Sequence, residues 1–163
     1  MHRLEMRTRL PGTPTELFPF FADAANLERI TPPELGFRIL TARPIDMRSG
    51  TRIDYRIALW GVPLRWRTRI ATWNPPHVFS DVQERGPYRV WDHTHILEDD
   101  GLQGTMMIDR VDFALPLEPL SLVGLPLVKL QLRRIFTHRD GALRRALGLP
   151  PSLDRPKLTI VRL

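Results

Sequence analysis

The chain has 163 residues, 42% of them hydrophobic, with 24 lysines and arginines against 18 acidic residues and no cysteine. That length suffices for one domain with its own core, and the absence of thiols excludes disulfides, thiolate metal sites, thiol nucleophiles and dithiol redox chemistry. Lys129 and Lys157 are the only lysines, so arginines carry the net charge of +6. They alternate with apolar residues and form no basic block, which predicts solvated strand faces and no nucleic-acid partner. MHRLEMRTRL has no apolar signal core, and no stretch reaches the roughly 18 uninterrupted apolar residues of a membrane span; a cytoplasmic protein is the expectation.

Residues 2–10 read as an opening strand. TPTE follows, with Thr13 as N-cap, Pro14 at the first helical position and Glu16 completing a capping box. Leu17, Phe18 and Phe21 give this short helix a buried side. Asp23 caps a second short helix through Leu27 and Ile30, stopped by Pro32 and Pro33. From Gly36 onward β-branched and aromatic residues alternate between turn signals, predicting strands over 37–45, 51–60, 63–73, 78–85, 88–98 and 104–115. A two-residue turn at Gly61 and Val62 would set Ile57 opposite Trp66, Tyr55 opposite Thr68 and Ile53 opposite Ile70. DDGLQG marks another hairpin.

After Pro116 and Pro119 the period becomes helical: Leu125, Val128, Leu132, Ile135, Phe136, Leu143 and Leu147 recur at threes and fours. Arg133, Arg134, Arg139, Arg144 and Arg145 are interleaved, Gly141 weakens the helix, and LGLPP ends it. The order predicts an α+β protein in which an antiparallel sheet wraps the long helix around an internal cavity. One domain over 1–149 is expected, with a tail over 150–163 whose LTIVRL segment suits an edge strand or a partner contact.

Three segments carry a family resemblance: FFADAANLERITPPELGFRI (20–39), WNPPHVFSDVQERGPYRVWDHTHIL (73–97) and GTMMIDRVDFALP (104–116). Over 6–149 the chain resembles the SRPBCC superfamily (START, Bet v 1 and polyketide cyclase/dehydrase-like proteins), and within it the bacterial single-domain group. The resemblance implies a helix-grip fold, a seven-stranded antiparallel sheet around a C-terminal helix. It also implies binding of a hydrophobic small molecule such as a lipid, isoprenoid, polyketide or aromatic metabolite, with catalysis in some branches only.

Within RVWDHTHIL, a period of two puts Trp91, His93, His95 and Leu97 on one strand face. A hairpin centred on Gly101 sets Trp91 opposite Val111, His93 opposite Asp109 and His95 opposite Met107, while the ERGP turn brings Asp81 near His93 and Gln83 near Trp91. The opposite parity would expose Trp91, Val111 and Phe113 together, so burial favours the first. A polar cluster of His93, His95, Asp81 and Asp109 is therefore expected on the concave side. Its walls are Tyr55, Trp66, Thr68, Phe79, Trp91 and Phe113, joined by Gln83, Met107 and Val111, and by Leu132 and Phe136 from the helix.

Four readings of that cluster stay open. His93 can neutralise a buried Asp109, the group can orient a ligand, or it can act as a general acid and base in a cyclase, aromatase or dehydratase, with Tyr55 as an added donor. Metal ligation is the weakest reading, since no fixed ligand motif accompanies the two histidines; no metal and no cofactor are expected. His77 and His138 read as surface residues. PLSLVGLPLV at 119–128 raises peripheral membrane contact as a less favoured alternative to packing. A monomer or homodimer is expected.

Overall fold

A computed structural model describes residues 1–101, 103–151 and 156–163. Strand β1 (His2–Pro11) leads into helices α1 (Pro14–Ala22) and α2 (Ala25–Ile30), then a 3-10 turn at Pro33–Leu35. Strands β2 (Arg38–Ile39), β3 (Arg52–Leu59), β4 (Val62–Asn74), β5 (Val78–Arg85), β6 (Val90–Asp99) and β7 (Gly104–Ala114) follow. A second 3-10 turn, Leu120–Gly124, opens the long helix α3 (Leu125–Ala146), and β8 (Lys157–Arg162) closes the chain. All pairings are antiparallel, in the order β2-β3-β4-β5-β6-β7-β1-β8. The sheet thus has eight strands where seven were expected, because β8 adds itself to the free side of β1.

Local chemistry accounts for the N-terminal elements. The capping box at α1 is formed, with the Thr13 N–H donating to Glu16 Oε2 at 2.7 Å and the Glu16 N–H to Thr13 Oγ1 at 3.4 Å. Asp23 Oδ1 accepts the Ala25 N–H at 2.9 Å at the start of α2. The strand expected over 37–45 shrinks to two residues: Leu40 and Thr41 both donate to the Asp54 carbonyl, and the chain then reaches Pro44, which has no N–H for a ladder.

Two hairpin registers differ from expectation, each by two residues. Between β3 and β4 the turn is Trp60–Gly61, with φ of 55° and 77°. Positive φ at both central positions is the type I′ geometry that suits strand twist, and it pairs Tyr55 with Trp66, Ile53 with Thr68 and Ile57 with Leu64. Between β6 and β7, Trp91 faces Phe113, His93 faces Val111 and His95 faces Asp109. Part of the DDGLQG turn, and residues 152–155 of the tail, lie outside the described residues. A two-residue shift preserves which side chains point inward, so the concave face keeps its expected composition.

That face packs on α3 and the short helices. Leu4, Met6, Val111, Phe113, Leu132 and Phe136 form one buried cluster at the β1-β7 side. Phe18, Phe21, Phe79, Leu97, Met107 and Leu143 form another under α1, and Ile53, Tyr55, Ile57, Trp66 and Ile70 a third on β3 and β4. Helix α3 runs unbroken through Gly141 and ends at Leu147, with Gly148 at φ 69° beyond it. Arg144 anchors its last turn, donating to the Arg9 carbonyl at 2.8 Å and to Asp140 at 3.3 Å. On the convex face many arginines make cross-strand ion pairs: Arg3 with Asp112, Arg67 with Asp54, Arg110 with Glu5, and Arg52 and Arg69 with Glu84. The basic composition is thus organised as sheet-face pairing.

Candidate functional site

Between the buried clusters, sheet and helices leave two adjoining hollows of about 90 and 120 Å³. The first lies under α1 and α2, against Phe79, Ile70, Thr68 and His95. The second lies against α3, walled by Phe37, Trp66, Tyr88, Trp91, His93 and Phe136. Leu27, Tyr55, Asp81 and Arg139 border both, so the two meet at a polar junction inside apolar walls.

The cluster at that junction is compact. His93 Nε2 lies 3.1 Å from Asp109 Oδ1, and His93 Nδ1 lies 3.9 Å from Asp81 Oδ1. Asp81 is held from its other side by the Thr68 hydroxyl, which donates at 2.7 Å. His95 Nδ1 approaches Asp109 Oδ1 to 2.8 Å but out of line, so this close contact is not a hydrogen bond. The His95 ring stacks on Phe79 at 4.2 Å between centroids and meets the His93 ring at 3.9 Å with a 40° tilt. His93 reaches Asp109 diagonally, since its directly opposite residue is Val111.

Burial sets the electrostatics. Desolvation, aided by neighbouring His93, pushes His95 down to about 4 against the opposing pull of Asp109, so its imidazole is neutral at pH 7. Desolvation also opposes charge on Asp109, but His95 and His93 override it and hold the carboxyl well below its ordinary range. Burial and the nearby Asp81 raise Tyr55 well above its ordinary value, so its hydroxyl remains a donor.

Asp81, His93 and His95 can each offer one ligand atom within 4.8 Å of the others. Metal bonds of ~2.0–2.1 Å require ligand atoms drawn together to about 3.4 Å in a tetrahedral site, whereas His93 and Asp81 are here tied into hydrogen bonds with Asp109 and Thr68. The present arrangement is a hydrogen-bonded acid-base cluster.

Neither a family model nor a curated protein matches the sequence. Solved structures do. TTHA0849 from Thermus thermophilus aligns with a TM-score of 0.66 at 16% identity, over 90% of this chain and 97% of that one. BexL, a di-domain ARO/CYC from the BE-7585A biosynthetic pathway, aligns at 0.65 and 20% identity over 91% of this chain and 47% of its own. Ara h 8.0201 aligns at 0.57 and 16% identity, over 88% and 97%. The fold is the Bet v 1-like, SRPBCC fold.

Within this SRPBCC fold, ten of the anticipated residues border the hollows: Tyr55, Trp66, Thr68, Phe79, Asp81, Trp91, His93, His95, Leu132 and Phe136. Met107 and Asp109 border only a third space of about 10 Å³ behind the histidines. Three others lie elsewhere. Val111 and Phe113 fill the β1-β7 core, packed with Leu4, Met6, Leu132 and Phe136, and border neither hollow. Gln83 closes the β5-β6 turn, donating to the Tyr88 carbonyl at 2.6 Å and accepting the Tyr88 N–H at 3.3 Å. His77 is exposed and His138 half-buried on α3. Leu120, Val123 and Leu127, in the apolar stretch before and at the start of α3, are exposed.

Sequence reasoning missed Arg139, which borders all three of these spaces. The signal was present: Leu132, Phe136, Arg139 and Leu143 share one helical stripe, and a lone charge on an apolar stripe points inward.

Proposed function

We propose that this protein encloses an apolar small molecule in the space between its sheet and α3. The carrying observation is the wall chemistry: two hollows meet at one polar junction and are otherwise lined by aromatic and aliphatic side chains. Such a composition desolvates an apolar body and uses a few polar groups to fix its orientation. Similarity to the fold of Ara h 8.0201 and to one half of BexL is consistent with both a carrier and an enzyme.

The acid-base cluster supports a second reading, proton transfer on the bound molecule in the manner of a cyclase or dehydratase. Asp109 holds His93 Nε2, which fixes the tautomer and leaves Nδ1 toward Asp81 and the second hollow. An imidazole so oriented can take a proton from an activated carbon and return it to a departing oxygen.

One experiment addresses both. Protein purified without detergent or organic solvent is incubated with a metabolite extract and examined by native mass spectrometry. A retained apolar molecule supports binding, and failure to retain or exchange any such molecule overturns it. If the released molecule differs in mass from the one supplied, and His93→Ala abolishes the difference while still binding, the catalytic reading holds; release of unchanged molecules only overturns it.

A further inference from the structure

The junction has an excess of hydrogen-bond donors. Arg139 makes no hydrogen bond or ion pair with any described residue; its one close partner is the Phe136 ring, 5.3 Å from the guanidinium carbon. Trp66 is buried, and its Nε1 has no acceptor among the described residues. Tyr55 is also buried and makes no hydrogen bond with a described residue. All three side chains border the second hollow. A buried indole N–H left without an acceptor costs stability, and the half-buried Arg139 guanidinium is free to exchange water for an acceptor on a guest.

The nearby acids do not meet that need. Asp81 is bonded to Thr68 and faces His93, while Asp109 serves the two histidines. Asp23 accepts from the Ala25 backbone, and Asp140 pairs with Arg144. Glu28 and Glu34 pair with Arg43 and Arg134. The Arg139 charge therefore stands beside apolar walls, acting on Asp109 only through space and ion-paired with no carboxylate among the described residues.

We propose that the bound molecule is an amphipathic acid whose carboxylate is held by Arg139, with Tyr55 and Trp66 as additional donors, and whose apolar body extends along the aromatic wall. This rests on the binding reading above and names the ligand class for the same cavity. A guanidinium offers paired N–H groups that match the two oxygens of a carboxylate. Its position where the two hollows meet puts the acid group centrally and leaves either hollow for the body. The Phe136 ring beneath the guanidinium holds its plane in place.

The test compares matched probes by isothermal titration calorimetry at pH 7.5: 2-naphthoate against 2-naphthylmethanol, and decanoate against decanol. The acid of each pair is expected to bind at least about tenfold more tightly, the effect of one charge-assisted contact. Arg139→Met should abolish that preference and leave alcohol affinity within about twofold, while Arg139→Lys should retain part of it. Trp66→Phe, which keeps a ring and removes the donor, gives a second comparison should Arg139→Met fail to fold; it should weaken the acids several-fold and the alcohols little. Equal binding of acid and alcohol overturns the carboxylate proposal and leaves the binding reading intact. No binding by any of the four overturns both.

Discussion

His95 shows how a buried side chain couples this site to stability. Its imidazole titrates near 6.5 in an unfolded chain and at about 4 in the fold, mainly because burial penalises its charge. As pH falls from 7 toward 4 the unfolded state takes up a proton that the folded state refuses, so the fold loses stability across that window. The shift is worth about 3 kcal/mol, with the Asp109 carboxyl adding its own loss only below about pH 4. Urea midpoints should drop accordingly between pH 7 and pH 4.5, and the drop should be markedly smaller in His95→Gln; an unchanged slope in that variant would remove His95 as its source. His2 shifts downward as well, first through burial, so the comparison of variant with parent is what isolates His95. The two histidines and their acids were legible in the sequence because period-two parity survives a register error. Arg139 is harder to read, because α3 carries five arginines and its signal is its place on the apolar stripe rather than its residue type.

At the scale of elements, the β3-β4 hairpin shows where legibility ended. Alternation marks both strands, but a glycine suits either central position of a two-residue turn, so the sequence places the turn one residue late, with Gly61 first. In the structure it is the second, and Trp60 takes the first at φ 55° with 62% of its surface exposed. A bulky residue is strained there, whereas asparagine tolerates the left-handed region. Trp60→Asn should therefore raise stability by about 0.5–1 kcal/mol, read as a higher thermal midpoint with unchanged circular dichroism; a lower midpoint would mean that Trp60 makes a contact worth more than its strain. The capping box at α1 was legible for the opposite reason, since Thr13 and Glu16 interact over three residues and depend on no distant register. The strand expected over 37–45 stops at Ile39, because Leu40 and Thr41 share the one Asp54 carbonyl and the ladder ends there although alternation persists in the sequence.

For the whole molecule, β1 is the decisive strand: it lies between β7 and β8, and among the described residues β8 covers the His2–Arg7 part of its outer side. Leu158 and Ile160 of β8 also pack on the cluster of Leu4, Met6, Val111 and Phe113. Deleting residues 157–163 should cost at least about 2 kcal/mol from that burial and uncover the strand edge from His2 to Arg7. Concentration-dependent self-association in sedimentation velocity, absent from the full chain, is the expected outcome; a monomeric, equally stable truncation would show that β8 is dispensable. The same placement has a consequence for synthesis. Arg3 bonds Asp112, 109 residues further along the chain, so at ~5–20 residues per second on the order of ten seconds separate the emergence of β1 from that of its first partner. Throughout that interval the nascent strand is an unoccupied template for its neighbours on a polysome. Its alternate positions are Arg3, Glu5, Arg7 and Arg9, and a row of charges on an unpaired strand is what discourages pairing with the wrong chain before the right one has been made.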